Sequence, residues 1–300
     1  MSFTDRVRHL PVLGVGVSTE YGAAEATGAL DVEALWRDHR AYAGFLELGV
    51  EASKGLDAQA HAWAGSGRPT TYHFLDINLD EPEDFDPRWL ARIQALAAAV
   101  KPAWMCGDAG LWHFGPRDRN HMLLLPPILT AEAAEDMAQG VARLREAVGL
   151  EILPENPPGE AFVGDLHLLE FFGEVCHRGD TGMLLDCAHL AIYQRAKGLD
   201  PLAGFEGFPL DRVVELHIAG GVERQHEGFA YVADDHTPAV LDETWAIFEH
   251  VIAGAHNLKA VVFECERNPL EACLPGFKRI ADALIAAGSP LAVTFEEASR

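Results

Sequence analysis

Leu150-Glu151-Ile152-Leu153-Pro154-Glu155-Asn156-Pro157-Pro158 is a short apolar run that ends on a carboxylate and an amide, followed by two prolines that cannot donate to a ladder. Bounded in this way it reads as a buried strand whose last side chain projects from the carboxyl end of a sheet. A glutamate there is poorly solvated and needs a cation or hydrogen-bond donors to stay ionised. The same layout recurs along the chain. Strand candidates are 12–17 (VLGVGV), 45–50 (FLELGV), 70–75 (TTYHFL), 103–106 (AWMC), 151–155 (EILPE), 182–187 (GMLLDC), 213–218 (VVELHI) and 260–265 (AVVFEC). Several are continuous apolar runs, as parallel strands covered on both faces require.

Helical patterns lie between most of these runs, at 31–42, 86–100, 130–148, 165–177, 238–255 and 269–287. Asp86-Pro87 opens one with a capping residue and a proline at the first helical position, and Thr130 caps another. Strands alternating with helices eight times predict a (β/α)8 TIM barrel in one domain over 1–288, with a short tail at 289–300. An open doubly wound sheet is the poorer reading, because Gly14-Val15-Gly16-Val17 lacks the third glycine of a dinucleotide loop. Segments 19–28, 76–86, 108–130, 200–209 and 220–237 read as long loops, and a barrel builds its active site from the loops at its carboxyl face.

Lys plus Arg number 23 against 46 Asp plus Glu, a net charge of −23. Such a surface repels phosphate backbones and argues against a nucleic-acid partner. The five cysteines are odd in number and show no CxxC spacing, which fits a reduced cytoplasmic protein better than a disulfide scaffold. No apolar run is long enough for a membrane span, so a membrane partner is not expected.

Polar residues stand at the ends of the later strands: His73, Glu155, Asp186, His217 and Glu264. His189 falls in the turn after Asp186, and Asp234 and His236 fall in the loop after the seventh strand. Each has an ordinary use by itself, as a hydrogen-bonded core histidine, a helix cap or a loop side chain, and Asn156 equally shapes the turn before Pro157. Barrel closure nevertheless brings all the strand ends to one mouth. A set of four imidazoles and four carboxylates there suits Fe, Mn or Zn, and so many carboxylates favour two or more ions sharing a bridging ligand. No G-x-S-x-G elbow or H-E-x-x-H motif competes. A divalent-metal sugar isomerase or epimerase, or a metal-binding protein that has lost catalysis, would use the same residues.

The blocks GVGVSTEY, FLELGVE, ILPENPP, MLLDCAH, DRVVELHIAGG, DDHTPAV and VVFECE occur here in an order that resembles the DUF692 family of multinuclear non-heme iron oxidative enzymes, which includes the iron subunit of methanobactin biosynthesis. The resemblance implies a xylose-isomerase-like barrel that holds two or three irons, cycling between Fe2+ and Fe3+, with O2 as co-substrate. It also implies a cysteine-containing, ribosomally made peptide as substrate, often with a separate partner protein that recognises the leader. On that pattern His73 and Glu155 hold one iron. Glu155 bridges to a second, held by Asp186, His217 and Glu264, and His189, Asp234 and His236 hold the third. The family's histidine after the fourth strand is absent: the block reads Gly107-Asp108-Ala109, leaving Asp108 and His113 as candidate substitute ligands and Asn156 in support. The family's His-Gly after the third strand is His73-Phe74 here. Gly107 and Gly110 suggest spare room around Ala109.

Overall fold

A computed structural model of the chain describes residues 1–19, 30–81, 85–115, 119 and 123–298. After the short helix α1 (Phe3–Val7), the chain runs β1 (Gly14–Thr19), α2 (Val32–Asp38), β2 (Phe45–Val50), α3 (Ala58–Gly65), β3 (Thr70–Phe74), α4 (Pro87–Val100), β4 (Met105–Asp108) and α5 (Ala131–Val148). It continues with β5 (Ile152–Glu155), α6 (Leu168–Arg178), β6 (Met183–Asp186), α7 (Cys187–Lys197), β7 (Val213–His226), β8 (Phe229–Thr237), α8 (Asp242–Ile252), β9 (Ala260–Glu264), α9 (Leu270–Ala286) and α10 (Ala292–Ala298). Eight parallel strands pair in the order β6-β5-β4-β3-β2-β1-β9-β7, and β6 pairs with β7. That last pairing closes the sheet. The architecture is a (β/α)8 TIM barrel, as the strand–helix alternation predicts.

Side chains alternate between the two sides of the barrel wall, so each strand feeds two cores. One face packs under the helices through residues such as Leu46, Tyr72, Met105, Leu185 and Phe263. The other fills the lumen with Phe45, Trp104, Leu153, Leu184, Val214 and Val262, and Phe3 and Val7 of α1 plug this layer from below. The amino end is therefore stoppered. The next inward positions, nearer the carboxyl end, are where the chain switches from apolar to ionisable residues.

The helix starts follow their sequence signals. Asp86 accepts from the amides of Arg88 (2.9 Å) and Trp89 (3.0 Å), and Thr130 accepts from that of Ala133 (3.3 Å). Two further helices begin at a capping Asp, Asp57 and Asp186, but carry no helical periodicity in the sequence. The small residues of α3 make no apolar stripe, and α7 is buried on nearly every side of its first two turns, so neither shows the periodicity of an amphipathic helix. His189 thus lies in the first turn of α7 rather than in a turn.

A larger correction concerns 220–237, expected as a loop. β7 runs on beyond the barrel wall, turns at Glu227-Gly228 (φ 49° and 85°) and returns antiparallel as β8. Two consecutive left-handed residues make the two-residue turn that suits a twisted hairpin. The outer half of the arm, 223–230, is exposed on both faces, so no apolar alternation advertised it. Its ladder jumps from Gly221↔Asp234 to Gly220↔Thr237, leaving Asp235 and His236 unopposed. The loop expected at 19–28 lies almost wholly outside the described residues, as do 82–84, 116–118 and 120–122 of two others and the last two residues of the tail. Within that tail, Leu291 and Phe295 are buried against the main core.

Candidate metal centre

Six inward strand-end residues meet at the carboxyl mouth: His73 (β3), Asp108 (β4), Glu155 (β5), Asp186 (β6), His217 (β7) and Glu264 (β9). α7 adds His189, and the bulged end of β8 adds Asp234 and His236. The register aligns Asp108 with Glu155 and Asp186 with His217, so neighbouring strands present them at one height. All but Asp186 and His217 line a cavity of about 470 Å³, whose apolar wall includes Trp112, Leu124 and Pro158.

Glu155 is central. Its Oε2 lies 2.8 Å from His73 Nε2, and its Oε1 lies 3.4 Å from His217 Nδ1 and 3.7 Å from His189 Nδ1. On one side His217 Nδ1 also faces Glu264 Oε1 (3.3 Å) and Asp186 Oδ2 (3.9 Å). Toward the arm, Asp234 Oδ2 lies between His189 Nε2 (3.1 Å) and His236 Nε2 (3.3 Å). Donor atoms close enough to share an ion fall into His73–Asp108–Glu155, Glu155–Asp186–His189 and Asp186–His217–Glu264. Every strand-end residue picked from the sequence thus enters the cluster.

The two candidate substitutes part company. Asp108 sits among the cluster and reaches within 3.7 Å of His189 Nδ1. His113 is fully buried beside it in sequence but turns its ring to the Gly115 carbonyl (3.0 Å) and joins none of these groups. Nor is there slack around Ala109. A Cβ on Gly107 would meet the Phe74 carbonyl and ring at 2.5–2.8 Å, and one on Gly110 would meet the Leu125 carbonyl at 2.6 Å. Both departures from the family pattern, Phe74 and Ala109, lie at the seam of β3 and β4.

Supporting contacts fix the geometry. The Asn156 amide accepts from the Asp186 N–H (2.9 Å) and donates to its carbonyl (3.0 Å), while Asp186 Oδ1 caps α7 at the His189 amide (2.6 Å). His189 Nδ1 is 2.9 Å from the Asn156 carbonyl, which leaves Nε2 as the nitrogen facing Asp234. Sequence reading passed over two acids. Glu266 holds His236 Nδ1 at 2.8 Å and accepts from Ser18 Oγ at 3.2 Å. Glu47 sits one layer below, with Oε1 2.9 Å from His217 Nε2 but off the line of a hydrogen bond. Its signal was present: a carboxylate at an inward position of the otherwise apolar FLELGV.

Five carboxylates and four imidazoles in so little water cannot all keep their ordinary charge states. Burial pushes Asp186 up to about 7, with Glu264 and Glu155 adding repulsion, and burial and Glu155 raise Asp108 well above the carboxylate range. Burial also works against Glu155, yet His217 and His73 outweigh it and hold that carboxyl below its usual range. The histidines move the other way against their own burial. Glu155 and Glu47 bring His73 to about 9, and Glu47 and Glu264 raise His217. Protons thus stand in for missing positive charge. Buried Asp108 Oδ1, Asp186 Oδ2, His217 Nδ1, Asp234 Oδ1 and Glu264 Oε2 have no hydrogen-bond partner, and orphaned polar atoms of this kind are rare unless they await a ligand. The donor set and its orphaned atoms fit metal cations bound by oxygen and imidazole.

Among the described residues no helix is long and apolar enough to cross a membrane. Among solved structures the chain is similar to a xylose isomerase-like TIM barrel protein from Mycobacterium smegmatis in complex with magnesium, at 12% identity over 94% of this chain and 98% of that one (TM-score 0.56). It is also similar to endonuclease IV from Thermus thermophilus, at 13% identity over 91% and 99% (TM-score 0.53). Identities this low speak for the fold alone. Curated relatives include UPF0276 proteins of Anaeromyxobacter sp. (strain Fw109-5), 26% identical over 61% of this chain and 64% of that protein, and of Rhizobium meliloti (strain 1021), 28% identical over 70% and 69%. The match thus spans about two thirds of the length of these relatives. Residues 32–283, and with them every cluster residue named above, match the family model described as RiPP precursor modification enzyme MbnB/TglH/ChrH, and the chain belongs to that family.

Proposed function

We propose that this protein is an iron- and O2-dependent enzyme that oxidatively modifies a cysteine-containing, ribosomally made peptide, working with a partner protein that recognises the leader. The observation that carries the reading is the surplus of buried, unpartnered carboxylate and imidazole atoms at the barrel mouth, in a chain of a peptide-modifying family. His73, Glu155 and Asp108 would hold one iron. Glu155, Asp186, His217 and Glu264 would hold a second, and His189, Asp234 and His236 a third. When bound, iron supplies an open position for a substrate thiolate and the electrons that O2 chemistry requires.

The chain's own residues do the rest. Glu155, whose two oxygens face different histidines, ties the corners together. Trp112, Leu124 and Pro158 form an apolar wall that a peptide side chain can press against while its sulfur faces the cluster. All five cysteines of the protein are buried and none lines the cavity, so the thiolate position is left to the substrate.

Anaerobic reconstitution with Fe2+, followed by elemental analysis and titration with a cysteine-containing peptide, tests the reading. About two irons per chain are expected, with the His73 corner the least occupied because Ala109 stands where the family has a histidine and Asp108 is left to substitute. A thiolate-to-iron charge-transfer band should grow with peptide, and O2 uptake should depend on it. Protein that takes up only Zn2+ or Mg2+, with iron unable to compete, overturns the oxidative reading.

A further inference from the structure

Glu47 is fully buried in the lumen, on a strand that contributes nothing else to the cluster, and it meets His217 from below. We propose that Glu47 is a positioning residue that fixes the His217 ring so that Nδ1 is the nitrogen offered to the metal. The inference rests on the metal-centre reading above and deepens it.

The side chain is held from behind. Glu47 Oε2 accepts from Thr71 Oγ1 (2.9 Å), its register partner on β3, and from Cys106 Sγ (3.1 Å) on β4. These two donors leave Oε1 aimed across the lumen at His217 Nε2, 2.9 Å away. The opposite edge of the ring presents Nδ1 to Glu264 Oε1 (3.3 Å) and Glu155 Oε1 (3.4 Å), the carboxylates assigned to the same ion. An imidazole between a carboxylate below and an ion above has one sensible arrangement. Nε2 carries the proton and, after a small turn of the ring brings the 2.9 Å contact into line, donates it in a hydrogen bond to Glu47, while Nδ1 keeps its lone pair for the metal. The carboxylate also makes the ring a stronger donor to the metal, and a backing partner of this kind is worth about 10–100-fold in metal affinity.

Glu47 also lies close enough to His73 and His217 to be a ligand itself, and the two roles separate cleanly. Fe2+ binding to the whole protein is to be measured, as stoichiometry and affinity, for wild type, Glu47→Gln, Glu47→Leu and Thr71→Val. For a positioning residue, stoichiometry stays the same in Glu47→Gln while affinity falls severalfold, since an amide oxygen still accepts from Nε2 but carries no charge. Glu47→Leu loses about 10–100-fold, and Thr71→Val shifts affinity less, in the same direction. A second readout needs no metal. The Nε2 proton of His217, identified by its loss in His217→Asn, should be a downfield, exchange-protected signal in the nitrogen-edited NMR spectrum that Glu47→Leu abolishes. A drop of one ion per chain in Glu47→Gln makes Glu47 a ligand and overturns the proposal, as does unchanged affinity with a persisting ring proton in Glu47→Leu. Should Glu47→Leu fail to fold, Glu47→Gln carries the decision. If wild type binds no iron, the proposed function falls while the ring proton still decides this inference.

Discussion

Both ends of the barrel lumen bury carboxylates, and they treat them in opposite ways. At the amino end Glu151 takes a two-pronged contact from Arg6 (Nε 2.7 Å, Nη2 3.0 Å) with Thr181 and Arg145 close by. Asp180 beside it accepts from the Phe3 amide (2.8 Å) and from Arg212 (3.3 Å). Both of these carboxylates face guanidinium groups that cannot give up their protons. At the carboxyl end, among the described residues, no arginine or lysine belongs to the groups able to share an ion, and Arg267 reaches only the rim beside Glu266 (3.6 Å). Imidazoles answer the acids of the cluster, and six of its polar atoms stay unpaired. One end is a finished ion-pair network that closes the barrel and pins α1. The other is balanced only by protons that a metal cation can displace, and that difference distinguishes a structural network from a site.

Paired substitutions at the two ends should therefore give opposite results. Glu155→Ala is expected to abolish iron binding at two corners, and the metal-free protein should still fold because His73 and His217, held charged in part by that carboxylate, can become neutral once it is gone. Glu151→Ala should leave iron affinity alone and cost about 2 kcal/mol, below the ~3–5 of a fully buried pair because Arg6 keeps some water and its contact with Asp180. Calorimetric melting with iron titration on both variants checks this, and an unfolded Glu155→Ala would erase the contrast. Next in size, Asp108→Asn should lower affinity at the His73 corner about tenfold, whereas His113→Ala should leave iron content unchanged. Iron counts on the two variants mark where the cation-seeking region stops. The smallest effect is in protons. Asp186 near 7 and His73 near 9 are both raised, so each favours the metal-free fold at low pH and loses that contribution as pH rises through its folded value. Metal competes with those same protons. Affinity should climb from mildly acidic to mildly alkaline pH, with net proton release on loading near neutrality, measurable by calorimetry in buffers of different ionisation enthalpy. Loading without proton release would mean that the acids are not balanced by protons.

The barrel was legible because its signals are local and repeated: apolar runs, caps at Asp86 and Thr130, and a polar residue at the end of five of the last six strands. The strand-end cluster residues could be read for the same reason, since inward alternation puts the last side chain at the mouth whatever the exact boundary. Glu47 escaped because one carboxylate inside an apolar strand has no sequence partner, and its meaning comes from His217 across the lumen. His113 misled because proximity along the chain to Ala109 says nothing about where a ring points after a tight turn. The room expected at Gly107 and Gly110 was also an error. Glycine marks a close approach as readily as freedom, and here the Phe74 ring and the Leu125 carbonyl have already taken the space.

The hairpin arm that bears Asp234 and His236 makes the centre unevenly tolerant of error. The strand-end residues are secured by ladders on both flanks of their strands, so a local fault is corrected by two neighbours. Asp234 is secured by one, and His236, which the ladder skips, by Glu266 and Asn268, while the register that aims the arm is set by a two-residue turn at Glu227-Gly228 out at the exposed tip. A slip of one position in an antiparallel pair turns every side chain to the opposite face. A lesion at an exposed glycine far from any buried group can thus delete one corner of the inner chemistry and leave the barrel untouched, and it would pass every ordinary check of a well-folded protein.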